Sequence, residues 1–257
     1  MKNPIVKLIC LFSAVVFLFC GCSWSSQKMP EIPKTETAEL ELSAPLTVCG
    51  ELTASDGSVI ATYNASFPQF EENSIVAKRI NEAFSILYED APSDMDSFFN
   101  HIKTQLGETW QSLSFAQPFH TITMEYTLVP STNDYVCFLS EYIIRENDTE
   151  NIYPGVSMFL KSTGWSLNYE TLFGDNTDKA TELLKKQIND WCINNSIPTE
   201  SLSELNNKFF NGKLGISETH VFVCFDPYFF STKFDKSITV YLPISPFIPL
   251  LIEQSHK

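Results

Sequence analysis

The sequence predicts an α+β fold, with a mainly antiparallel sheet and about three packed helices. Runs rich in β-forming residues, several of them alternating in polarity, recur between Leu46 and Pro243. Two segments, 73–88 and 178–194, instead repeat apolar residues at helical spacing, and a third, 93–106, opens on helix-capping residues. The order is strands, helices, strands, helix, strands, without strict βαβ alternation, which favours antiparallel pairing. An apolar fraction of 44% with 13% aromatics is enough for a core and excludes general disorder.

The first element is an export signal. Lys2 and Lys7 form a basic start, and Leu8–Cys20 is a 13-residue apolar run. That length suits a signal peptide and falls short of the ~20 residues of a bilayer span. Phe19-Cys20-Gly21-Cys22 resembles a bacterial lipobox, with Phe19 where Leu is usual. The resemblance implies cleavage after residue 21, lipid on Cys22, and a mature chain anchored to a bacterial membrane on its extracytoplasmic side. Multiple acyl chains would hold it there far better than one. Residues 22–45, with Pro30 and Pro33, read as a tether.

A hairpin opens the folded part. Leu46–Leu52 and Ser58–Phe67 are its strands, Asp56-Gly57 is its turn, and Pro68 ends it. Ile75, Ile80, Ala83, Phe84 and Leu87 mark a helix over 73–88. A second helix is expected over 93–106, capped by Ser93 or Asp94. Thr121–Val129 and Tyr135–Ile144 read as an antiparallel pair about the turn at 130–134. A polar break at 145–151 precedes strands at Val156–Lys161 and Trp165–Tyr169. Leu184, Ile188, Trp191 and Cys192 mark the helix over 178–194. Strands at 212–217, 220–226 and 237–243 and an apolar tail at 247–252 complete the chain. The organisation expected is a signal peptide (1–21), a tether (22–45), an N-terminal module (46–160) and a C-terminal module (161–252).

Charge narrows the partners. The chain carries 17 basic and 31 acidic residues, a formal charge of −14; losing Lys2 and Lys7 with the signal peptide leaves 15 against 31, near −16. That argues against nucleic acid, whose phosphates need clustered Lys and Arg. It also argues against electrostatic adhesion to anionic lipid. A basic partner is compatible, and the field would speed its approach.

No motif signals a reaction. The nucleotide-binding glycine patterns, the G-x-S-x-G elbow and H-E-x-x-H are all missing from the sequence. Acid pairs such as Glu71-Glu72 and Glu89-Asp90 fall at helix ends or in loops, where a solvated face explains them. His101, His120, His220 and His256 are scattered and pair with no Cys at a ligand spacing, so no metal or cofactor is expected. Cys49, Cys137, Cys192 and Cys224 are even in number, but no CxxC joins them; buried thiols and disulfides both stay open. The unusual feature is an aromatic C-terminal third. In Asp226–Ser231, Pro227 interrupts any ladder, so Tyr228, Phe229 and Phe230 sit on a bend. They are the candidate ligand-binding residues, as interface anchors, with core packing as the competing reading.

A family resemblance adds to this. The run Thr163-Gly164-Trp165-Ser166-Leu167-Asn168-Tyr169-Glu170-Thr171-Leu172-Phe173, followed by a helix, is one part of it. Val221–Asp226, Pro227-Tyr228-Phe229 and Ile238–Pro243 are another. Together these resemble the C-terminal module of the extracytoplasmic domain of RsiV-type anti-sigma factors, a module also found in PdaC-type peptidoglycan deacetylases. Upstream, Phe67-Pro68 followed by Ile80-Asn81-Glu82-Ala83-Phe84 is similar to the partner module. Tyr153-Pro154-Gly155-Val156-Ser157 departs from the family's Tyr-x-Gly-Gly-x-His stretch, lacking the second Gly and the His. No anti-sigma segment or deacetylase domain is expected in this chain. The resemblance implies a stand-alone binding module whose partner is lysozyme, another basic protein, or peptidoglycan. The alternatives are a cell-envelope hydrolase, which would need a nucleophile or metal site, and a structural lipoprotein without ligand.

Overall fold

A computed structural model describes residues 40–130 and 132–252. The signal peptide, Cys22 and nearly all of the tether lie outside the described residues. A six-stranded sheet runs in chain order: β1 (Leu46–Thr53), β2 (Val59–Phe67), β3 (His120–Val129), β4 (Tyr135–Glu146), β5 (Thr149–Leu160) and β6 (Ser166–Leu167). Every neighbouring pair is antiparallel except β2 and β3, which run parallel from Ala61 beside His120 to Ala65 beside Met124. A parallel pair needs a long crossover. The helix α1 (Ile75–Leu106) supplies it.

The second sheet is small and antiparallel: β7 (Leu214–Ile216), β8 (His220–Phe225) and β9 (Ile238–Pro243). With it go α2 (Tyr169–Phe173), α3 (Thr177–Asn194) and α4 (Asn207–Phe210). The fold is therefore α+β, as the sequence predicts. The long hairpin β4–β5 is buried on both faces at its base, because its residues alternate between two cores. Val136, Phe138 and Phe159 pack with α1, whereas Tyr135, Cys137, Met158 and Leu160 pack with the small sheet and α3. The segment 161–252 thus builds its core on strands supplied by the segment 46–160.

Three elements differ from expectation. The two helices expected over 73–88 and 93–106 are one, running through Pro92. Proline removes one backbone bond, but Phe84 and Ala91 before it and Phe98 and Ile102 after it are all buried in the same core, and that packing carries the helix across. Its cap is Ser74, which accepts from the Ala77 amide at 3.1 Å, and not Ser93 or Asp94. The polar break at 145–151 is the tip of the β4–β5 hairpin, turned at Asn147 with φ +53° and bridged by an Arg145–Glu150 ion pair. Finally, only Ser166–Leu167 of the expected 165–169 strand pairs. Asn168 accepts from the Thr171 amide and starts α2, a capping box that outcompetes strand pairing.

Two of the family-like motifs turn out to be fasteners. Asn81 of α1 is buried and holds the backbone of Phe70 from both sides, accepting from its N–H at 2.7 Å and donating to its C=O at 2.8 Å. At the β5–β6 turn, Gly164 has φ +74°, and a Cβ there would lie 2.7 Å from the Val76 carbonyl oxygen of α1. Only glycine allows that approach. Arg79 of α1 then donates to the Thr163 carbonyl at 2.8 Å and lies 4.8 Å over the Trp165 ring.

Candidate functional site

The three aromatics singled out in the sequence separate in depth. Phe230 is 3% exposed in the second core, against Phe225 at 4.8 Å between ring centres. Phe229 is half-buried and contacts Phe209 of α4 and Phe225 at 5.0 and 4.9 Å. Tyr228 is 47% exposed. Phe230 is therefore a core residue, Phe229 supports the turn from below, and Tyr228 is the one of the three that faces outward.

The backbone explains why. Phe229 N–H donates to the Asp226 carbonyl at 3.2 Å, closing a four-residue turn with Pro227 second and Tyr228 third. Tyr228 has φ +65°. That is the type II pattern, in which proline suits the second position and glycine the third. A tyrosine there is strained by about 1–3 kcal/mol and persists because its surroundings fix it. Its own N–H donates to the Phe234 carbonyl at 2.6 Å, tying the turn to the return loop.

The turn is also tied to the large sheet. Lys213, just before β7, is almost fully buried. Its ammonium donates to the Pro154 carbonyl of β5 at 2.7 Å and to Asp226 Oδ1 at 2.5 Å. Beside it the Gly212 carbonyl accepts from Val156 N–H at 2.8 Å, so residues 212–213 cover part of the outer edge of β5. A buried charge needs such partners. Pro154, within the Tyr153–Ser157 stretch, is thus the seat for Lys213. Sequence reasoning passed over Lys213, although a lone lysine inside an apolar, strand-like run is a legible oddity.

Most of the other reactive groups are packed away. Cys137, Cys192 and Cys224 are buried free thiols, and Cys49 is an exposed one on β1. Burial pushes the Cys137 thiol up to about 12 and those of Cys192 and Cys224 up to about 11, which leaves them protonated and inert. His120, buried where β3 starts, has its pKa lowered to about 4 by burial and then by His101, although Glu146 lies 3.7 Å away. Burial wins because that separation is too long for a hydrogen bond and Nε2 has no hydrogen-bond partner among the described residues. Among the described residues, no three His, Cys, Asp or Glu side chains gather to hold a metal. No helix among them is long and apolar enough to cross a membrane.

By sequence, no family model matches the chain and no curated protein does. Comparison by structure finds relatives of the fold. A DUF3298 family member from Bacteroides fragilis superposes with a TM-score of 0.59 at 10% identity, over 84% of this chain and 95% of that one. A DUF3298 family protein from Pseudomonas aeruginosa gives 0.52 at 8% identity, over 84% and 96%. The described chain, β1 hairpin to C-terminal small sheet, has the fold of DUF3298 proteins.

Proposed function

We propose that the protein is a binding module, lipid-anchored through Cys22 outside a bacterial membrane, that captures a basic protein such as lysozyme or cell-wall material. The observation that carries this reading is Tyr228: an aromatic side chain held outward at a backbone angle that favours glycine, on a turn pinned by Asp226 and Lys213. Strain of that kind is an outlier from which function is fairly inferred. A rigid, half-exposed tyrosine supplies contact area at low entropic cost, as central anchors of interfaces do. The net charge near −16 would steer a basic partner from a distance, while lasting affinity would come from the turn.

The test is retention of lysozyme on the immobilised chain at low and high salt. Retention that weakens with salt, with a faster off-rate for Tyr228→Ala, supports the reading. No retention at either salt removes lysozyme, and the same assay with peptidoglycan then decides whether any capture function stands. Cys22→Ser should abolish lipid labelling and leave uncleaved precursor; labelling that survives overturns the anchor.

A further inference from the structure

On the face where α2, α3 and α4 meet lies an open groove of about 460 Å³, lined by Glu170, Thr181, Lys185, Asn206, Asn207 and Lys208. The residues that line it are all polar, although most of the surface they present to it is the carbon of their side chains.

The floor is built. Thr181 is buried, and its hydroxyl lies 2.7 Å from Asn207 Oδ1, 2.9 Å from the Thr177 carbonyl and 2.9 Å from the Tyr169 hydroxyl. A threonine has one proton. With that proton held by the two carbonyl oxygens, Thr181 accepts from Tyr169, and the chain Tyr169–Thr181–Asn207 runs outward. Its consequence is that Asn207 turns its oxygen inward. The two N–H groups of its carboxamide then have no acceptor among the described residues. Asn206 is different: its oxygen accepts from the Lys208 and Phe209 amides and its nitrogen donates to the Glu204 carbonyl, so it is fully used in capping α4. Lys208 has no carboxylate within 4.0 Å among the described residues, and Lys185 has only the exposed Glu182 at 3.9 Å. An exposed pair of that length contributes little.

The groove therefore offers two ammonium groups and a pre-oriented amide donor on the α3 and α4 side, and one carboxylate, Glu170, on α2. We propose that it binds a small zwitterion of the amino-acid or short-peptide class. The ligand's carboxylate is received by Lys185, Lys208 and Asn207, and its ammonium by Glu170. Charge-assisted hydrogen bonds are the strong ones, and opposite poles at the two sides select against a simple anion. This reading is independent of capture at Tyr228, because neither Tyr228 nor the Lys213–Asp226 pair lines the groove.

The probe is alanyl-alanine, titrated into the full chain in detergent by calorimetry. Three controls accompany it: the dipeptide amide, N-acetyl-alanyl-alanine and inorganic phosphate. The dipeptide should bind saturably. Lys208→Met, Lys185→Met and the dipeptide amide should each weaken binding roughly tenfold or more, the fold-change of a lost charge-assisted hydrogen bond. Glu170→Gln with the dipeptide, and the acetylated probe with the native chain, should weaken it similarly. Lys186→Met, on α3 but outside the groove, should leave it unchanged. Phosphate binding as tightly as the dipeptide would reduce the groove to a cationic patch and overturn the proposal. So would no saturable binding, or Lys208→Met binding normally with an unshifted melting midpoint.

Discussion

On the α1 face of the sheet, Phe84 alone meets three other rings, Tyr126 and Phe138 at 5.1 Å and Phe159 at 5.6 Å. On the opposite face α3 is long and the buried core is as large, but the remaining elements are short, and polar groups join them: Lys213 to Pro154 and Asp226, Thr181 to Tyr169 and Asn207, Asn206 to the start of α4. One long helix laid on a sheet buries enough apolar surface to fix itself. Four-residue helices and three-residue strands do not, so their places are set by directional bonds. Both candidate sites, the Tyr228 turn and the groove beside α4, lie on this second face, where satisfied polar networks hold side chains in fixed orientations.

The comparison breaks most sharply at Phe84. Phe84→Ala should cost about 3–5 kcal/mol, because it removes a fully buried ring and leaves a cavity in rigid surroundings. Chemical denaturation checks it. A cost near 1 kcal/mol would mean that the first core collapses into the space the ring leaves.

Lys213→Met comes next. The stem is kept and the ammonium removed, leaving the Pro154 carbonyl unpaired and Asp226 partly exposed. Losing a charged donor to a buried carbonyl should cost about 1–3 kcal/mol. If polar links position the second face, this variant should also speed dissociation of any partner held through Tyr228, which Phe84→Ala should not do at temperatures where it stays folded.

These two sites were unequally legible. Ile75, Ile80, Ala83, Phe84 and Leu87 announce α1 by spacing alone, and the β1–β2 turn is written in Asp56-Gly57. Pro92 hid the continuity of α1, since a proline weighs against a helix locally and only tertiary packing outweighs it. The tip of β5 was hidden by charges that solvate a hairpin end as well as they solvate a loop. In the candidate site, Pro227 announced a turn, but nothing in a tyrosine side chain announces a positive φ. Lys213 and its partner Pro154 lie 59 residues apart, a pairing that no local pattern encodes.

A third, smaller effect belongs to the first face. His120 is kept neutral by burial, with a pKa near 4 against 6.5 unfolded. Between those values the unfolded chain binds the extra proton and the folded one does not, so stability falls as pH drops from about 6.5 to about 4. Below that both states are protonated and the contribution is spent. With screening at the end of the sheet, the loss should be on the order of 2 kcal/mol. His120→Phe, whose ring can pack against Phe119 as the imidazole does, should flatten the decline in a series of melts across that range. An unchanged slope would assign the decline to other groups.

The smallest expected change in stability separates function from fold most cleanly. Tyr228 holds φ +65° with its side chain 47% exposed, so little packing is lost when it is removed and backbone strain is relieved. Tyr228→Gly fits the third position of the type II turn without penalty. It also frees the unfolded chain, which offsets part of the gain. The net result should be a stability unchanged or raised by up to about 1 kcal/mol, whereas Tyr228→Ala keeps the strain and gains nothing. If the tyrosine is there to meet a partner, Tyr228→Gly should lose retention of that partner at a melting midpoint no lower than the native one. A midpoint that drops by several degrees would show that the ring supports the second core, and Tyr228 would then join Phe229 and Phe230 as part of the packing.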